Sequence, residues 1–167
     1  VRTTRHGDAG TFAQGSPATE AGTLTYGDGT PSDDLSADLL TRLLDLRQLQ
    51  DQDGPFPAVT PQPHPEQEVT GARTLRVFAV ARLLLDTTPH LRADVAALGT
   101  STAQLALNHG ADDLLAAADD TRTPEELAEL IRDAGFRPVQ RDAGFGVLRE
   151  FEAPNPARRD APQPMEF

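Results

Sequence analysis

At 167 residues the chain has the length of about one domain. Its 26 acidic residues against 15 basic ones give a formal net charge of −11, which disfavours a nucleic acid or an anionic membrane as partner. It holds no cysteine, which excludes disulfides, thiolate zinc sites, cysteine nucleophiles and a cysteine-held iron–sulfur cluster on these residues.

Every basic residue is arginine, so a Schiff-base or P-loop lysine is excluded as well. The skew fits GC-rich coding, and Val1 fits either a GTG start or a cut from a longer chain. No apolar run reaches the roughly 18 residues of a transmembrane helix. The first 22 residues lack the unbroken apolar stretch of a secretory signal, which makes the cytoplasm the expected compartment.

Residues 1–22 are poor in large apolar side chains and read as a flexible head. Leu39, Leu40, Leu43, Leu44 and Leu46 then recur at helical spacing and predict a helix over residues 36–50, capped by Asp33 or Ser36. Residues 56–60 make a short extended run. Pro57, Pro61, Pro63 and Pro65 cannot donate to a ladder, so only two or three residues there are expected as strand.

A second helix is expected over residues 71–86, ended by Pro89, and a strand over residues 91–98. Residues 101–108 form a third helix that stops at Gly110, a natural left-handed position, and residues 111–115 a short strand. Thr123-Pro124-Glu125-Glu126 is the strongest local signal. It is a capping box with proline at the first helical position, and it predicts a helix over residues 123–134. Residues 137–141 and 147–151 read as strands. Residues 152–167, with Pro154, Pro156, Pro162 and Pro164, read as a proline-rich tail.

The alternation of helix and strand between the two ends defines an α/β class. Residues 23–151 hold about three βα units, a partial (β/α) barrel, since a complete one needs eight in about 250 residues.

Nine stretches carry a family resemblance: Leu46-Arg47-Gln48-Leu49-Gln50-Asp51, Phe56-Pro57-Ala58-Val59, His64-Pro65, Leu75-Arg76 with Ala79-Val80-Ala81-Arg82-Leu83-Leu84-Leu85-Asp86, Pro89-His90, Leu98-Gly99, Ala103-Gln104-Leu105-Ala106-Leu107, Gly110-Ala111-Asp112-Asp113-Leu114 and Ala134-Gly135-Phe136-Arg137-Pro138-Val139-Gln140-Arg141-Asp142. In order and spacing they resemble the C-terminal part of the radical SAM enzymes that make menaquinone by the futalosine route. Within that family the nearest are aminofutalosine synthase and dehypoxanthine futalosine cyclase, with the deazaflavin-making synthase subunits further off. The resemblance implies a (β/α) barrel whose CxxxCxxC loop holds a [4Fe–4S] cluster that cleaves S-adenosylmethionine. It places residues 23–142 in the last βα units, beside the substrate pocket.

It also implies that the cofactors are not held by these residues. Chemistry would need a cluster-bearing partner chain, or the chain would self-associate through open sheet edges, with no nucleic acid or membrane involved. Two departures from the family pattern stand out. Tyr26-Gly27 runs on into Asp28 and Gly29 instead of histidine, and Asp113-Leu114 into Leu115, Ala116 and Ala117 where the family has glycine, threonine and glutamate.

His64 follows a strand and so belongs at the mouth of a barrel, where ligand-facing residues gather; the alternative is an exposed loop histidine. Asp112 and Asp113 could hold a ribose hydroxyl pair or share a proton. Alternatively, one caps a turn while the other meets an arginine such as Arg137 or Arg141. Gln104 and Asn108 lie four apart on one helix face and could meet a nucleoside edge, or simply pack. His109 suits a helix C-terminus. No two of the four histidines have a metal-ligand spacing.

Overall fold

The computed structural model describes residues 9–14, 22–27, 37–53 and 56–154. Among them seven strands form one open sheet: β1 (Ala9–Gln14), β2 (Gly22–Tyr26), β3 (Ala58–Pro63), β4 (His90–Asp94), β5 (Asp113–Ala116), β6 (Arg137–Arg141) and β7 (Val147–Glu150). The strand order is β2-β3-β4-β5-β1-β6-β7, parallel except for the antiparallel β6–β7 hairpin. The helices are α1 (Ala37–Asp53), α2 (Gly71–Leu84), α3 (Val95–Leu98), α4 (Thr100–Leu107) and α5 (Pro124–Asp133).

The α/β class is as expected from the sequence. Consecutive βα units lay β2, β3, β4 and β5 side by side in chain order, an arrangement compatible with an arc of a (β/α) barrel. Helices α1, α2, α4 and α5 cover one face in succession. There Leu24, Tyr26, Val59, Leu91, Ala93, Leu114 and Ala116 from alternate strand positions meet Leu39 and Leu43 of α1, Phe78 and Ala81 of α2, Ala106 of α4 and Ile131 of α5. Among the described residues no helix is long and apolar enough to cross a membrane.

Several elements form as local chemistry dictates. The Thr123–Glu126 capping box is complete in both directions. Thr70 caps α2 by accepting from the Arg73 N–H. Gly110 takes φ +109°, and a Cβ there would lie 2.6 Å from Arg82 Cβ, so both conformation and space call for glycine. Of the α1 leucines, Leu39 and Leu43 are buried, whereas Leu40, Leu44 and Leu49 are exposed. The expected caps Asp33 and Ser36 lie outside the described residues, as do residues 155–167 of the tail.

Three expectations need correction. Residues 91–98 do not form one strand: β4 ends at Asp94, whose side chain accepts from the Ala96 and Ala97 amides and starts α3. The alanine-rich run then favours helix, as its propensity predicts. The proline-hemmed run is longer than two or three residues, because β3 continues through Pro61 and Pro63. The His64 N–H donates to Tyr26 O, so the even-numbered amides face β2 and the two prolines lack donors only on the β4 side. There the β3–β4 pairing already stops at Val59↔Leu91.

The third correction concerns the head. Residues 1–22 include β1, which sits inside the sheet between β5 and β6, and the first residue of β2. Parallel ladders on both sides, to β5 and to β6, hold β1. Gly10 allows α5 to approach, since a Cβ at that position would meet Ile131 Cγ2 at 2.7 Å.

Candidate functional site

Alternation along the strands directs a second set of side chains to the face the helices leave open. Register aligns them in two rows. The row nearer the strand N-termini contains Thr60, Arg92 and Asp113, all buried. Arg92 Nε donates to Asp113 Oδ2 at 2.9 Å, and Arg141 Nε to Asp113 Oδ1 at 2.8 Å, with a further contact from Arg141 Nη2. Two guanidinium groups thus enclose one carboxylate that has no exposure at all.

Beneath them Asp112 accepts from Arg82 Nη2 at 2.7 Å and from the Leu91 N–H at 2.7 Å, and its Oδ2 lies 2.8 Å from His90 Nδ1. Burial pushes the Asp112 carboxyl up. The hydrogen bonds from His90 and Leu91 and the Arg82 charge outweigh that and hold it below the usual carboxylate range. Phe145 stacks on the His90 ring at 4.4 Å and lies 3.9 Å from Arg141 Cζ, while its backbone takes φ 65°. Those ring contacts offset a conformation that a bulky residue adopts only at a cost.

The second row lies at the C-terminal strand ends: Thr25, Gln62, Asp94 and Leu115, all half-buried. Gln62 Nε2 donates to Asp94 Oδ2 at 3.1 Å, while Asp94 Oδ1 caps α3. His64 lies two residues beyond Gln62. Its Nδ1 accepts from the Glu66 N–H at 3.3 Å, which makes Nε2 the protonated nitrogen of the neutral ring and a donor. Beside Thr25, at the outer edge of β2, opens a groove of about 480 Å³ whose lining includes Thr23, Arg42, Asp45, Leu46 and Leu49.

The structure therefore separates the four residues singled out in the sequence. His64 stands at the C-terminal mouth. Asp112 and Asp113 stand at the opposite end, at the entry to β5, engaged with arginines. Gln104 Nε2 donates to Leu130 O at 2.9 Å and ties α4 to α5, as Asn108 does to Ala134 O. His109 Nδ1 lies 2.8 Å from Leu105 O at the end of α4. Sequence reasoning missed Gln62 and Asp94. The signal for Asp94 was an N-cap residue before an alanine run; Gln62 was hidden among prolines. Among the described residues no three His, Cys, Asp or Glu side chains are placed to hold a metal.

Fold and site together define an α/β protein of consecutive βα units, with a polar face opening at the C-terminal strand ends, where such proteins bind ligands. No protein-family model matches the chain. It is 43% identical over 155 residues to the aminodeoxyfutalosine synthase of Streptomyces coelicolor, a match covering 74% of this chain and 40% of that enzyme. The cyclic dehypoxanthine futalosine synthase of the same organism is 31% identical over 162 residues, covering 86% and 40%. The 5-amino-6-(D-ribitylamino)uracil--L-tyrosine 4-hydroxyphenyl transferase of Methanopyrus kandleri is 34% identical over 97 residues, covering 50% and 26%. The chain is a relative of the futalosine-pathway radical SAM enzymes, as the sequence blocks implied. It spans about 40% of the length of the two Streptomyces enzymes.

Proposed function

We propose that this chain forms the C-terminal part of a pocket for a nucleoside-like menaquinone precursor and does not perform radical chemistry with its own residues. The observation that carries the reading is the row Thr25–Gln62–Asp94 with His64 beside it. A hydroxyl, an amide, a carboxylate and an imidazole N–H at neighbouring strand ends offer donors and acceptors suited to a ribose or a base edge. The similarity to two futalosine-pathway synthases supports the ligand class.

The residues present do not fit the family's cluster, because no cysteine occurs among the 167. A cluster would have to be held by cysteines outside these 167 residues, whether further along the same polypeptide or on a cluster-bearing radical SAM partner. A second reading, a binding or scaffold protein that kept the packing of the family and lost its chemistry, is favoured by one position. Leu115 puts an apolar side chain into the polar row beside Asp94.

Calorimetry with aminodeoxyfutalosine separates the two. The pocket reading expects binding that weakens about tenfold in Gln62→Leu and His64→Ala, the loss of about one hydrogen bond each, and that is unchanged in Gln104→Ala. Absence of binding to the folded wild-type chain overturns it and leaves the scaffold reading.

A further inference from the structure

Arg92 and Asp113 lie on the face that the helices leave open, and yet they are 1% and 0% exposed. Part of their cover is Phe145, at the tip of the β6–β7 hairpin. Its ring lies 5.5 Å from Arg92 Cζ and 3.9 Å from Arg141 Cζ, and it stacks on His90 at 4.4 Å with the two planes 3° apart. His90 opens β4, and β5 and β1 separate β4 from β6 in the sheet. The tip therefore reaches across two strands to its partner.

The tip is built as a unit of its own. Asp142 closes it, accepting at Oδ1 from the Gly144 and Gly146 amides at 2.9 and 2.8 Å and donating its own N–H to Gly146 O at 2.8 Å. Between tip and ladder the register slips from Gln140↔Arg149 to Arg141↔Val147, which leaves Leu148 as an extra residue, a bulge at which strands bend. Residues 142–144 and 146–150 are exposed. Arg141 Nη1 holds the base of the tip at Asp142 O, and the Phe145 ring carries it to β4, at a φ of 65° that is costly for a bulky residue.

Of the residue types around that ring, histidine is the one whose charge changes between about pH 5 and 8. His90 Nδ1 meets Asp112, which Arg82 of α2 also engages; Asp113 is taken up by Arg92 and Arg141, and the Asp142 carboxylate by the amides of the tip. Asp112, held below the usual carboxylate range, stays ionised when His90 takes up a proton. The His90 side chain is 27% exposed, so that proton can come from solvent. Once charged, the imidazolium pairs with Asp112 in direct contact and presents a cation to the face of Phe145, while the charges of Arg82, Arg92 and Arg141 are already met by the two carboxylates.

We propose that the 142–146 tip is a pH-responsive strap: its hold over the open face tightens when His90 is protonated and loosens when His90 is neutral, with the bulge beside Leu148 as its hinge. Loosening uncovers the Arg92–Asp113–Arg141 cluster and leaves the Gln140↔Arg149 ladder in place. The strap is independent of the pocket reading, since it involves none of Thr25, Gln62, His64 and Asp94.

NMR of the intact chain, labelled at its seven phenylalanine rings, tests this without ligand or partner. Phe145→Leu identifies the Phe145 signals by their loss. From about pH 8 to pH 5.5 the closed-to-open ratio, read from the ring-current displacement of those signals, should rise about threefold in the wild type. His90→Phe keeps a ring to stack on and carries no charge, so the pH response should vanish there; His90→Gln serves the same purpose if the larger ring prevents folding. His109→Gln should retain the response. A wild-type ratio that does not change with pH, or that falls on acidification, overturns the strap. A response that survives in both His90 variants, or that is lost in His109→Gln, also overturns it, since another group would then be the sensor.

Discussion

Asp113 and Arg141, 28 residues apart in the chain, meet with neither side chain more than 2% exposed, and their contact locks β6 to β5 across the intervening β1. Arg92 completes the enclosure from β4. Removing the carboxylate would leave two buried guanidinium groups without their shared partner. Asp113→Asn is expected to cost about 3–5 kcal/mol, measured by urea unfolding. A loss under about 1 kcal/mol would contradict a structural role and return Asp113 to the list of ligand-facing residues.

Tyr26 is the only tyrosine, and the chain has no tryptophan, so phenolate absorbance near 295 nm reports on this side chain alone. Burial pushes its pKa up to about 12, opposed by the hydrogen bond with Thr74 and the charge of Arg73. Because the folded value lies above the unfolded one, near 10, the neutral phenol favours the native state. That contribution is complete below about pH 10 and is lost as pH rises through 12. Spectrophotometric titration of the folded protein should show a midpoint well above that of the urea-unfolded chain; equal midpoints would place Tyr26 in solvent.

Asp112 has the opposite sign. Its folded pKa is depressed, so its contribution is present above the unfolded value, near 3.9, and disappears as pH falls through the folded one. Asp112→Asn should therefore flatten the acid limb of the stability curve between about pH 5 and pH 2, followed by circular dichroism in urea at each pH. An acid limb identical to wild type would refute this.

The capping box offers a local test. Thr123→Ala removes the side chain that accepts from the Glu126 amide and should cost about 1 kcal/mol in chemical denaturation. Aminodeoxyfutalosine affinity should not change, because Thr123 caps α5 and takes no part in the Thr25–Gln62–Asp94 row. A drop in affinity at full folding would move the candidate site toward α5.

What could be read from the amino-acid sequence was what short-range chemistry controls. The Thr123–Glu126 box, the Gly110 stop, the start of α2 and the β6–β7 pair each depend on residues within a few positions of one another, so composition and spacing sufficed. The family blocks and the absence of cysteine were equally local facts. Only the tertiary structure decided where β1 lies, that β3 runs through two prolines, and that Asp113 answers to Arg92 and Arg141 while Gln62 answers to Asp94. Each of these depends on partners far along the chain. A strand with few large side chains is recognisable only by the ladders that flank it, and a proline is tolerated only where its neighbour needs no donor. Likewise, a carboxylate is a ligand group or a buried anchor according to which arginines the fold brings to it.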